Sequence, residues 1–399
     1  MSSILTQRND LAAFRRELQA WLQQACPSHE AIEAMERAAG VDFTAFERDQ
    51  RAWWRKLAEV GLATPHWPVE YGGAGLDMRH MVVISDEMAR AGAPRLTMFT
   101  VTRNHVPATF LAWGTPEQKK RYLRAAALGD VWCQGFSEPG AGSDLASLRT
   151  SARRVGDDYI VNGQKIWSSF AMHARYCILL ARTSNEGRRH DGITYFVMDM
   201  KAPGVEVRPI RQSTGRSEFA ELFLTNVRIP VTDRLGEEGQ GWKVAQTTLA
   251  SERGLLVFEQ AERLRYRMEA FYGAAIRKCE LWVNDTELAR EFMRLAARLQ
   301  AVRGLIRELL ASGDGGRGAS EVAPSMIKLG FSRVKQDLFD FETRVGGLSA
   351  NLREPLVGES ATASFHDYID SFGTTIAGGT NEIQLNIVSE RGLDMPRAR

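Results

Sequence analysis

The stretch "YIVNGQKIWSS", residues 159–169, decides the fold, because a chain that has read as helix up to this region starts here to read as strand. "RYCILLART" (175–183), "GITYFVMDM" (192–200), "VEVRPI" (205–210) and "AELFLTNVRIP" (220–230) follow it. All are short runs of β-branched and aromatic residues separated by Gly, Asn and Asp, so together they predict an antiparallel β unit of about a hundred residues. Asn162-Gly163 carries the signal of a hairpin turn.

Outward from that unit the period changes on both sides. Upstream, "LAAFRRELQAWLQQA" sets Leu11, Phe14, Leu18, Trp21 and Leu22 three to four apart, one apolar helical face. "FERDQRAWWRKLAEVGLA" (46–63) repeats the pattern and stops at Gly61, and "PHWPVEYGGAGLD" (65–77) is a Pro- and Gly-rich loop. "TPEQKKRYLRAAALGD" (115–130) opens with Thr115-Pro116, the start of a helix. Downstream, helical periodicity returns at "GWKVAQTTL" (241–249), broken by "ASGDGGRGAS" (311–320) and "VGGLSANLREPLVGE" (345–359). The expected fold class is α+β and multidomain, with boundaries at 1–128 (helical), 129–236 (β) and 237–399 (helical).

Composition narrows the partners. A chain of 399 residues, 44% hydrophobic and 25% charged, has enough apolar material for two or three cores. Its formal charge of +2 and the lack of a basic stripe argue against nucleic acid. Cys26, Cys133, Cys177 and Cys279 are scattered without C-x-x-C spacing, which predicts reduced thiols and a cytoplasmic protein. No leader pattern and no membrane-span-length apolar run is visible, and the seven histidines show no metal-ligand spacing, so no metal is expected.

Three stretches can carry chemistry. In "WCQGFSEPGAGSDLASLRT" (132–150), Pro139, Gly140 and Gly142 form a tight turn with Ser137 and Ser143 beside it. It reads either as a plain turn or as a loop whose backbone approaches a ligand. In "NGQKIWSSFAMHA" (162–174), Trp167, Ser168 and Ser169 could wall a flat aromatic ligand, or Trp167 could be a core residue of a strand. In "SFGTTIAGGTNEIQLNIVSERGL" (371–393), Thr380 is an N-cap, and its helix start either faces an anionic group or only caps.

In this order and separation the three stretches resemble the acyl-CoA dehydrogenase family, and "PHWPVEYGGAGLD", "EQKKRYL" and "GWKVAQTTLASERG" extend the resemblance over nearly the whole chain. It implies an N-terminal helical domain, a central β-barrel-like domain and a C-terminal four-helix bundle. It also implies a tetramer, FAD, an acyl-CoA thioester substrate and electron delivery to an electron-transfer flavoprotein. By the resemblance, Phe136 and Ser137 lie against the flavin ring, and Gly142 and Ser143 lie near the FAD pyrophosphate and the pantetheine arm. Trp167 and Ser169 cover the isoalloxazine and reach its N5 edge, with Ser168 between them a further candidate for the cofactor, and Thr380 and Glu382 reach the FAD of a neighbouring subunit. "WCQGFSEPGAGSDLASL" and "TGRSEFAELF" lean toward the bacterial branch that handles bulky, branched or steroid side-chain acyl groups.

The family's base is commonly a Glu directly before the Gly-Thr of the third stretch, where this chain has Gly378. Other members carry it in a Glu-Arg pair after the "GWKVA" segment, here Glu252-Arg253. In "LASERGLL" (249–256), Leu249, Leu255 and Leu256 share a helical face with Glu252. Glu252 is therefore either a solvated acid at a helix edge or a desolvated base with a raised pKa. Arg253 would position the CoA arm, and the Gly378 amide would still donate to the thioester oxygen. Small residues at Ala377 and Gly378 leave room for a thick acyl group. "RYRMEAFYGAAIRKCE" (265–280) and "RVGGLSAN" (344–351) depart from the family's pattern, which puts the adenosine-end contacts in doubt. The leading expectation, on the resemblance, is an FAD-dependent acyl-CoA dehydrogenase with Glu252 as the base that removes the α-proton. The alternatives are a non-catalytic FAD-carrying or structural subunit of a mixed tetramer, and a flavin oxidase on the same scaffold.

Overall fold

The computed structural model describes residues 9–251, 255–311, 322–347, 350 and 364–396. The chain divides into two compact units, one of residues 1–77 and 93–251, the other of 78–92 and 252–399.

The first unit opens with helices α1 (Leu11–Ala25), α2 (His29–Ala38) and α3 (Phe43–Glu59). Asp10, Ser28 and Asp42 cap them, each accepting from backbone amides of the first turn. The spacing read in the first helix is met, with Phe14, Leu18 and Leu22 buried and Trp21 stacked on Trp53. Helices α5 (Val106–Trp113), α6 (Pro116–Gln118) and α7 (Arg124–Ala127) follow in the same unit; α4 belongs to the second. Thr115 closes a reciprocal capping box with Gln118, as its sequence suggests.

The sheet has strands β1 (Trp132–Gly135), β2 (Ser151–Val155), β3 (Asp158–Ser169), β4 (Tyr176–Arg182), β5 (Ile193–Asp199), β6 (Val205–Ile210), β7 (Phe219–Pro230) and β8 (Arg234–Leu235). Their order is β6-β7-β3-β2-β4-β5-β8, with β1 alongside β4. Pairing is antiparallel except for β1 and β2 against β4, so the sheet is mixed. Strand β4 is covered on both faces, which explains its unbroken apolar run. Ile178 and Leu180 enter one core with Trp132, Tyr195 and Phe110, while Cys177 and Leu179 enter the other with Phe196 and Leu222. Helix α8 (Gly241–Ser251) packs on α5 and β5.

Asn162-Gly163 is not a hairpin turn. It lies inside β3, and the β2–β3 turn uses Gly156 in the left-handed region. Gly163 has a different reason: a Cβ there would come within 2.7 Å of the Thr150 Cα.

The second unit holds α4 (Met78–Arg90), α9 (Leu255–Arg277), α10 (Thr286–Ala311), α11 (Ala323–Gly346), α12 (Ser364–Ile376) and α13 (Asn381–Ile387). Phe258, Phe292, Leu299, Phe331, Leu338 and Phe341 form its core. Two of the arginines of 265–280 are used inside the unit. Arg265 bonds Glu262, Glu269 and Asp86, and Arg267 grips Glu342 and Asp367. Among the described residues no helix is long and apolar enough to cross a membrane, and no cluster of three metal-ligating side chains occurs.

Candidate active site

In the first unit the loop after β1 and the end of β3 form one bonded body. Glu138 and Ala141 exchange both backbone hydrogen bonds at 3.0 Å, closing the turn over Pro139 and Gly140. The Glu138 carboxylate then reaches to the far end of the loop, accepting from the amides of Arg149 at 2.7 Å and Thr150 at 2.9 Å. Lys165, fully buried on β3, donates to the same carboxylate at 2.8 Å and to the Phe136 carbonyl at 3.1 Å. The Ile166 amide donates to the Ser137 carbonyl at 2.9 Å. Burial, the largest single influence, pushes the Glu138 carboxyl upward, but the Lys165 ammonium together with the hydrogen bonds from Thr150 and Arg149 outweighs it and holds the group below the usual carboxylate range. The loop tip is open: Gly140, Gly142 and Ser143 are exposed, and added Cβ atoms on the two glycines would meet nothing.

Trp167 is not a core residue. The β3–β7 register shifts between Lys165 and Ser168, and at that bulge Trp167 takes φ 62 with its side chain 54% exposed, edge-on to Phe219. A bulky residue in the left-handed region costs on the order of 1–3 kcal/mol, a strain that gathers at ligand sites. The bulge also reverses the strand's inward phase. Ser168 becomes enclosed, with a hydroxyl that has no partner among the described residues, while Trp167 and Ser169 present surface. Phe136 is buried beneath the loop, edge-on to Tyr195. An exposed indole beside a partnerless hydroxyl and an open glycine loop fits a planar group such as a flavin.

The glycine turn lies in the second unit. Gly378 and Gly379 both take left-handed φ, 65 and 87. Thr380 caps α13 as expected, accepting from the Ile383 amide at 3.2 Å, but that helix runs only Asn381–Ile387. Beneath the turn, buried Gln384 donates to the carbonyls of Gly378 and Gly379. Lys328 holds the Thr375 carbonyl and Asn381, and Ser332 also donates to Asn381. Glu382 is exposed, its carboxyl held low by its own amide and the Thr380 hydroxyl. Glu252 and Arg253 lie outside the described residues.

Sequence reading passed over Lys165, Glu138, Lys328 and Gln384. One signal was available: Lys165 falls on the phase of buried Tyr159 and Val161, so a lysine there points inward and requires a partner.

Family descriptions match in chain order: "Acyl-CoA dehydrogenase, N-terminal domain" over residues 9–130, "middle domain" over 133–227 and "C-terminal domain" over 239–393. The chain is 34% identical to the acyl-CoA dehydrogenase IpdE1 of Mycobacterium tuberculosis, over 97% of this chain and 98% of that one. It is 38% identical to FadE34 of the same organism, over 86% of this chain and 46% of that one. Among solved structures, the Tcur3481-Tcur3483 steroid ACAD superposes with TM-score 0.85 at 30% identity, covering 97% and 98% of the two chains. The ChsE4-ChsE5 complex from Mycobacterium tuberculosis does so with TM-score 0.81 at 30% identity, covering 98% of each.

Proposed function

This chain belongs to the acyl-CoA dehydrogenase family, an oxidoreductase by descent, and from that premise we propose that it oxidises the α,β bond of a bulky acyl-CoA thioester with FAD. The observation that supports the flavin is Trp167, an indole held in the left-handed region and more than half exposed, with the Phe219 edge as its ring contact among the described residues. FAD, when bound, supplies the acceptor for the β-hydride. We assign Phe136, Ser137, Trp167 and Ser169 to its ring, with Ser168 behind them, and Gly142 and Ser143 to its pyrophosphate and the pantetheine arm. Thr380 and Glu382 are assigned to the FAD of a neighbouring subunit.

The α-proton of a thioester is a weak acid, so its acceptor must be a carboxylate with a raised pKa, and the enolate oxygen must meet fixed donors. Glu252 takes the proton in this reading. The Gly378 amide donates to the thioester oxygen, and Arg253 holds the CoA arm. The substrate class rests on Ala377 and Gly378 at the acyl end and on the steroid ACAD among the similar structures. Electron-transfer flavoprotein is the proposed acceptor. A reducing compartment such as the cytoplasm is proposed from the scattered spacing of the four cysteines.

Anaerobic bleaching of the purified yellow protein by a panel of acyl-CoA thioesters, linear to steroid, tests this. Glu252→Gln should keep the flavin and lose the bleaching; undiminished bleaching removes Glu252 from the role. The second reading, a non-catalytic partner in a mixed tetramer, is favoured by Gly378 in the acid's place and by the two-chain names of the similar assemblies. A chain that takes up flavin only when co-expressed with a related chain would select it.

A further inference from the structure

The first unit contains a buried ion pair that the proposed chemistry does not use. Lys165 has no exposed surface, and Glu138 is 8% exposed, yet neither belongs to a surface network. Placing one charge of each sign in a protein interior costs several kcal/mol per ion before their attraction returns it, so such a pair is a poor way to fill a core. Volume alone would have been met by methionine and leucine.

The partners of the pair give it a different purpose. From one side, Glu138 accepts from the amides of Arg149 and Thr150, so the carboxylate closes the base of the whole 138–150 loop. From the other, Lys165 donates to the carbonyl of Phe136, the residue just before Ser137. The adjoining Ile166 amide takes the Ser137 carbonyl, and the bulge that exposes Trp167 begins at the next position. The carbonyls of two consecutive residues, 136 and 137, are thus fixed by two consecutive residues of β3, 165 and 166. The two stretches singled out in the sequence, "SEPGAGS" and "KIWSS", meet through this pair and are ordered by it.

We propose that Lys165 and Glu138 are positioning residues for the flavin, a buried clamp that sets the backbone of Phe136 and Ser137, the open Gly142-Ser143 tip and the Trp167 bulge in one fixed relation. The inference rests on the FAD reading above. Neither side chain touches the ring; both act through the backbone groups they hold. A clamp of this kind acts on binding and on ring environment, because Lys165 and the Phe136 side chain are both buried.

The test uses the full chain loaded with FAD, comparing wild type, Lys165→Met, Glu138→Gln and the double variant. Lys165→Met strands a buried carboxylate and should destabilise the protein broadly. The double variant removes both charges at nearly the same volume, so the sheet should recover while the Phe136 carbonyl stays unheld. Three readouts are taken: FAD release by flavin fluorescence, visible circular dichroism of the bound flavin, and amide hydrogen exchange along the chain. The double variant should release FAD about tenfold faster, a loss equal to one charge-assisted hydrogen bond, with altered flavin dichroism. Faster exchange should be confined to 136–150 and 166–169, with β4 and β5 as in wild type.

Release within twofold of wild type in the double variant overturns the proposal. Faster release accompanied by faster exchange through all of β1–β5 also overturns it, since the pair then serves only the fold. Should the double variant be insoluble, Glu138→Gln alone is read, with faster release supporting and wild-type release refuting; insolubility of every variant counts against the clamp. A wild-type chain that takes up no FAD sinks the flavin reading and this inference together. Wild-type uptake with an unperturbed double variant sinks this inference alone.

Discussion

The side-chain nitrogen of Gln384 donates to the carbonyl oxygen of Gly378 at 3.1 Å and to that of Gly379 at 3.3 Å. Two successive carbonyls are thereby turned inward, and because each peptide is trans, the amides of Gly379 and Thr380 are turned the other way. Gly379 is glycine for two reasons: its φ of 87, and a clearance of only 2.5 Å between an added Cβ and the Gln384 nitrogen. We expect Gly379→Ala to cost about 1–3 kcal/mol. Gln384→Leu should cost about 1 kcal/mol by leaving two half-buried carbonyls without their donor. Urea denaturation followed by circular dichroism measures both. The double variant should cost less than the sum, since once the glutamine is gone the added methyl group has neither its nitrogen to clash with nor its hydrogen bonds to break.

Trp167 separates stability from binding. Its indole is more than half exposed, so little apolar burial is lost on removing it, while its left-handed backbone is relieved by glycine. Trp167→Gly should therefore unfold within about 0.5 kcal/mol of wild type, the relief of strain offsetting the added chain entropy. The same variant should hold FAD more weakly, read as faster flavin release. A loss of stability well beyond that value, with flavin retained, would mean that the indole serves the fold.

The order helix, sheet, helix was legible because hydrophobic periodicity is a local property, visible wherever one face is buried. Phe14, Leu18 and Leu22 could be placed inward before any contact was known. Cap chemistry was legible for the same reason at Thr115 and Thr380, where side chain and amide are three residues apart. Asn162-Gly163 misled because a hairpin dipeptide is also what a strand needs where another backbone crosses it, here at Thr150. The bulge at Trp167 was invisible because it arises from pairing with Phe219 and Ala220, residues about fifty positions away in sequence. Gln384 was missed because its partners are backbone carbonyls, which leave no trace in residue type, and Lys328 because its partners, the Thr375 carbonyl and the Asn381 side chain, lie about fifty positions away.

His66 should make the protein sensitive to mild acid. Burial, and next the charge of Arg103, push its imidazole from 6.5 down to about 4, and its Nδ1 has no hydrogen-bond partner among the described residues. The folded state then refuses a proton that the unfolded chain accepts below 6.5. Stability is unaffected above that pH and falls as pH drops from about 6.5 toward 4, by about 3 kcal/mol at full extent. Below about 4 both states are protonated and this contribution stops growing. Denaturation midpoints between neutral pH and pH 5 should decline in wild type and decline less in His66→Gln. Equal slopes would show that the imidazole is not desolvated.

The bundle of the second unit is centred on a carboxylate whose removal should be costly. Glu262 has no exposed surface and accepts from Arg303 at 2.8 and 2.7 Å and from Arg265 at 3.1 Å, with Arg307 at 3.6 Å. Arg265 keeps Asp86 and Glu269 if Glu262 is lost, whereas Arg303, itself 5% exposed, keeps only the Gln300 side chain among its described bonds. Glu262→Leu should therefore cost about 3–5 kcal/mol, almost all of it the stranded guanidinium. Removing that group as well, in Glu262→Leu with Arg303→Met, should return most of the loss. The exposed Arg298–Asp337 pair, at a similar 2.7 Å, is the control and should change stability by less than about 1 kcal/mol on Arg298→Ala. Salt separates the two cases further, because added ions screen the exposed pair and do not reach the buried one. Urea unfolding at low and high salt should leave the Glu262 loss unchanged and erase what little the surface pair contributes.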